Sequence, residues 1–77
     1  MNSEIVQSDS CSLHVFGPRR GSKEMPRCHV RRRNGGAETV VELPFVEVIA
    51  GPPLDGEEIK AILEHMQELL DEWDRRA

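Results

Sequence analysis

The stretch from residue 55 to residue 76 constrains the fold more than any other. Its apolar residues Ile59, Ile62, Met66, Leu69 and Trp73 are spaced by alternating steps of three and four, and Leu63 and Leu70 widen the stripe. That spacing places one oily stripe along an α-helix. Asp55 followed three residues later by Glu58 is a capping-box pattern, and Pro52 and Pro53 keep the helix from starting earlier. Glu57 and Glu58 suit the positive end of the helix dipole, and Arg75 and Arg76 the negative end. Asp71–Arg75 and Glu72–Arg76 have i,i+4 spacing, which contributes a few tenths of a kcal/mol per pair. At about 1.5 Å per residue the helix is roughly 30 Å long, enough to cover a small sheet.

The 54 residues upstream of that stretch have to supply what it covers. Residues 12–17 alternate, with Leu13 and Val15 on one side and His14 and Phe16 on the other, as a strand requires. Residues 18–26 are rich in Gly, Pro and charge and are expected to form a mobile loop. Residues 27–33 form a second strand and residues 37–43 a third. Between them Asn34-Gly35 signals a two-residue type I′ hairpin turn, whose central residues both need positive φ. Pro44 interrupts the third strand, and residues 45–50 are apolar enough for a fourth short strand or an extended lead into the Gly51-Pro52-Pro53 corner. Residues 1–10 are polar and aperiodic and read as a flexible N-terminal tail ahead of a single domain at 11–77.

The turn fixes a register. It pairs Arg33 with Gly36, Arg31 with Glu38, His29 with Val40, Cys28 with Val41 and Arg27 with Glu42. Cys28, Val30, Val41 and Leu43 then share the core face, and two Arg–Glu pairs share the opposite face. Each such pair is worth about 0.2–1 kcal/mol. Matching the first strand by its apolar side sets Leu13 and Val15 against Val30 and Cys28, and His14 across from His29. The expected fold class is α+β: a three- or four-stranded antiparallel sheet packed against one long C-terminal helix.

Charge is divided along the chain. Seven of the ten basic residues (Arg19, Arg20, Lys23, Arg27, Arg31, Arg32 and Arg33) lie between positions 19 and 33, whereas the overall net charge is −4. From Asp55 onward eight acids face only Lys60, Arg75 and Arg76. No apolar run reaches bilayer length and no signal-peptide pattern opens the chain, so a cytoplasmic location without membrane attachment is expected. In that reducing compartment Cys11 and Cys28 are expected to be free thiols, with Cys28 a small core residue.

A run of residues carries a resemblance: Glu24-Met25-Pro26-Arg27-Cys28-His29-Val30-Arg31, the hairpin, residues 40–43, and a helix ending in Glu72-Trp73. Over roughly residues 13–76 the chain resembles a small bacterial family catalogued as domain of unknown function number 4160. The resemblance implies a small antiparallel sheet under one helix and a place in a toxin–antitoxin-like gene pair, with no established enzymatic activity. His29 and Val30 match the family's second His and its Val, whereas Arg27 stands where its first His would be and Met25 replaces a Pro.

No Ser–His–acid arrangement, phosphate-cradling loop or pocketed carboxylate pair can be read from the chain, which is therefore expected to be non-catalytic. No cofactor or metal is expected either, because Cys28 points away from His14 and His29. The expectation is a small interaction module whose protein partner is encoded nearby. The alternative is weak RNA or DNA binding by the basic region of residues 19–33, with His29 and Phe16 available for stacking. Arg19, Arg20, Arg27, His29, Arg31 and Arg33 are the candidate contact residues under either reading.

Overall fold

The computed structural model describes residues 3–19, 21 and 23–77. Five strands, β1 (Glu4–Gln7), β2 (Cys11–His14), β3 (Arg27–Arg32), β4 (Thr39–Glu42) and β5 (Glu47–Ala50), precede two helices, α1 (Gly56–Glu64) and α2 (Met66–Arg76). The sheet is antiparallel with strand order β1-β2-β3-β4-β5, so each strand lies beside its neighbour in the chain. The fold is α+β, as the residue pattern predicts, but with five strands and two helical segments in place of three or four strands and one helix.

The central register is the one the residue pattern dictates. Arg27 pairs with Glu42, Cys28 with Val41 and His29 with Val40, while Leu13 pairs with Val30 and His14 with His29. Alternation then sends Leu13, Val15, Cys28, Val30, Val41 and Leu43 to the helix side, where each is fully buried. The turn differs from expectation. Gly35 N donates to Arg32 O at 3.2 Å, and of the two central residues only Gly35 has positive φ (+82°). The reversal therefore begins one residue earlier than a type I′ turn would, and residues 35–38 run unpaired into β4.

Two further expectations are corrected. Residues 4–7 are not tail but the edge strand β1, with Val6 opposite Leu13 and buried in the core. The helix is broken at His65 (φ −113°, ψ 17°), although His65 N still donates to Ala61 O and Leu69 N to His65 O. The buried stripe is also rotated from its expected position. Ile62, Leu69 and Trp73 are buried with Ala61, whereas Ile59 and Leu63 are exposed. Of the expected i,i+4 ion pairs, Glu72–Arg76 forms at 3.2 Å, while Arg75 pairs with Glu72 and Asp71 accepts from Gln67 Nε2.

The rotation has a cause in Glu58. Its backbone and side chain complete the capping box with Asp55, and its carboxylate also accepts from Arg32 Nε at 2.8 Å and Nη2 at 2.9 Å. Arg32 has the same parity on β3 as Cys28 and Val30, so its guanidinium lies on the helix side and also donates to Ala37 O and Thr39 Oγ1. Thr39 Oγ1 in turn donates to Pro52 O. Turning Glu58 inward to meet Arg32 brings Ala61 and Ile62 inward and swings Ile59 and Leu63 out, since each residue advances about 100° around a helix. Among the described residues no helix is long and apolar enough to cross a membrane.

Candidate partner-binding face

The side of the sheet away from the helices carries Ser12, His14 and Phe16 from β2 and its exit, His29 and Arg31 from β3, and Glu38 ahead of β4. Phe16 sits at the centre of this group and is 48% exposed. The His29 ring meets it edge-on with centroids 4.7 Å apart, and the Arg31 guanidinium lies 5.4 Å from its centroid, within cation–π range. Glu38 joins both neighbours: His29 Nδ1 lies 2.6 Å from its Oε1, and Arg31 Nε donates to its Oε2 at 2.7 Å. Burial alone would raise the Glu38 carboxyl, but hydrogen bonds from His29 and Arg31 outweigh it and hold the group below the usual carboxylate value.

His14, expected on the open face, is there but buried, because the segment ahead of β2 folds over it. Ser3 Oγ lies 3.1 Å from Nδ1 and Ser12 Oγ 2.8 Å from Nε2. Burial, then the Arg31 charge, lowers the ring's pKa from 6.5. The folded chain therefore binds fewer protons at His14 than the unfolded chain does. That contribution to stability is complete above pH 6.5 and declines as pH falls below it. Glu38 acts in the same direction at lower pH: its contribution is present above the ordinary carboxylate range and lost as pH falls through its lowered value. The urea midpoint should thus rise between about pH 5 and 7, and His14→Gln should flatten the part of the rise nearest neutrality. A midpoint that falls over that interval would contradict the His14 assignment.

The candidate residues fall into three places. Arg19, Arg27 and His29 line a cleft of about 230 Å³ with Phe16, Glu24 and Trp73, at the sheet end where β2 leaves and β3 enters. Its wall is fixed by Gly17 (φ +84°), where a Cβ would stand 2.7 Å from Arg76 Cβ, so only glycine lets the chain pass this close to the end of α2. Arg31 lies toward the hairpin end of β3 with its guanidinium over the Phe16 ring, and on its other side it shares a shallow pocket with Arg33 and Ser12. Arg33 is at the far end, where its Nε donates to Ser8 O at 2.9 Å. Arg20 lies outside the described residues. No family model, curated protein or solved structure matches the chain.

The basic set does not form one free cationic surface. Arg32 belongs to the interior, and Arg31 is tied to Glu38. Arg27 approaches Glu24 at 3.9 Å in place of the expected Glu42. Arg19, itself well exposed, is 3.7 Å from the same Glu24 carboxylate. Among the described residues Arg27 Nε is buried without a hydrogen-bond partner, an uncommon state in folded proteins. Cys28 lies on the opposite side of the sheet from His14 and His29, and burial pushes its thiol up to about 12, which keeps it protonated at neutral pH. Among the described residues no three His, Cys, Asp or Glu side chains are grouped to hold a metal ion.

Sequence reasoning missed three contributors to this face. Trp73 could be seen only as a core residue of the helix stripe, and Glu24 only as the single acid in a basic run. The role of Glu38 in joining His29 to Arg31 depends on side-chain reach. Arg32 was separable in principle, because its parity with Cys28 and Val30 sends it inward.

Proposed function

We propose that this chain is a small non-catalytic interaction module that takes a protein partner on the Phe16 face and its adjoining cleft. The observation that carries this reading is a half-exposed Phe16 ring lining one cleft with Arg19, Arg27 and His29. Aromatic and arginine side chains are the usual anchors of protein interfaces. The exposed Arg19 guanidinium at this small cleft suits a single carboxylate from a partner's Asp or Glu. A polyanion would need many free cations, and here Glu24 engages Arg19 and Arg27, Glu38 engages Arg31 and Glu58 engages Arg32. The resemblance to the number 4160 family supports the same reading by association, with the partner encoded by a neighbouring gene.

The alternative, RNA or DNA, draws on the stack of Arg31 over Phe16, which could receive a base. Salt separates the two readings. A complex with the neighbouring gene's product should survive nuclease treatment and change little between about 50 and 200 mM salt, and Phe16→Ala with Arg27→Glu should weaken it at least about tenfold. Affinity for nucleic acid that falls steeply over the same salt range, with no such protein complex, would establish the alternative.

A further inference from the structure

Among the described residues β5 ends the sheet with β4 as its one neighbouring strand, so one side of its backbone has no strand beside it. All four of its residues are exposed. The edge is also apolar: Phe45 is 75% exposed, with Val48 and Ile49 exposed beyond it. Within this strip Glu47 stands directly opposite Glu42 in the β4–β5 register. Like charges so placed repel, and among the described residues neither carboxylate has a cation within 4.0 Å. At the other edge, β1 differs in having Val6 buried and its two preceding residues half-buried.

We propose that the β5 edge accepts an extended segment of another protein, added as a sixth strand, with a lysine or arginine beside Glu47 flanked by apolar residues. Edge pairing supplies the backbone hydrogen bonds, the apolar neighbours cover Val48 and Ile49, and the cation relieves the Glu42–Glu47 repulsion. A second copy of this chain does not fit. Residues 42–54 contain no lysine or arginine, so self-pairing would add carboxylates to carboxylates. The acidic edge thus rejects its own kind while admitting a basic strand. This surface is separate from the Phe16 face, and either can fail without the other.

The test titrates the isotope-labelled full chain with a synthetic peptide, Thr-Val-Lys-Val-Lys-Val-Thr, followed by NMR, with a control peptide carrying Glu for each Lys. The lysine peptide should shift and protect the amides of residues 47–50, and the control should bind at least about tenfold more weakly. Glu47→Gln should reduce the difference between the peptides, and Glu47→Lys should reverse it. Glu47 is exposed, so a dispersed spectrum shows that each variant is folded. Equal binding of both peptides, shifts confined to Phe16 and His29, or no binding of the lysine peptide would each overturn the proposal.

Discussion

Replacing Glu58 by alanine should cost about 3–5 kcal/mol, the usual consequence of removing one member of a buried ion pair. At about 4–8 °C per kcal/mol for a domain of this size, Tm should fall by at least about 12 °C. The side chains of Arg32 and Glu58 are 13% and 4% exposed, so the orphaned guanidinium would be left largely out of water. The same substitution removes half of the capping box, since Asp55 N donates to Glu58 Oε1 at 2.9 Å. Against a total stability of roughly 5–15 kcal/mol, that is a large share of what keeps the chain folded. Arg32→Ala should cost a similar amount, because it leaves the Glu58 carboxylate buried and unpaired. The double variant should lose less than the sum of the two, by about 0.5–3 kcal/mol of coupling in a denaturation cycle. Additive losses would mean that the pair is a bystander.

The second large effect separates two leucines that the sequence alone places on one stripe. Leu69 is fully buried, and Leu69→Ala should destabilise by about 2–5 kcal/mol. Leu63 is 57% exposed, and Leu63→Ala should stay within about 0.5 kcal/mol of the parent. Urea denaturation of the two variants side by side decides the matter. Similar losses would restore the stripe as first read, Ile59, Ile62, Met66, Leu69 and Trp73 widened by Leu63 and Leu70, and would remove the inward rotation attributed to Glu58.

These two cases show what could and could not be read from the residues alone. The pairing of β3 with β4, and of β2 with β3, was legible because a period of two admits one register in which Leu13, Val15, Cys28, Val30, Val41 and Leu43 all fall on one side. The reversal at Asn34-Gly35 was legible as a place but not as a type, since Arg32 O can accept from Gly35 N without Asn34 entering the left-handed region. β1 was not legible: Ile5 and Val6 are too few to mark a strand, and it is the neighbouring β2 that makes one of them. The helix register failed at α1 because hydrophobicity was weighed and the buried charge was not. Of the candidate contacts, Arg19, Arg27 and His29 meet in one cleft. Arg33 is drawn to the far end of the sheet by Ser8, a contact between residues 25 positions apart that composition cannot reveal.

The unbroken sequence of neighbouring strands has a kinetic consequence. Three of the four hairpins close over loops of six residues or fewer and β2–β3 over twelve, so the contacts are mostly local and the sheet should assemble progressively as the polypeptide leaves the ribosome. Its covering layer is translated after it. For the time taken to synthesise the residues of α1 and α2, a nearly finished sheet has its greasy underside uncovered, and this nascent intermediate is where aggregation and chaperone capture should concentrate.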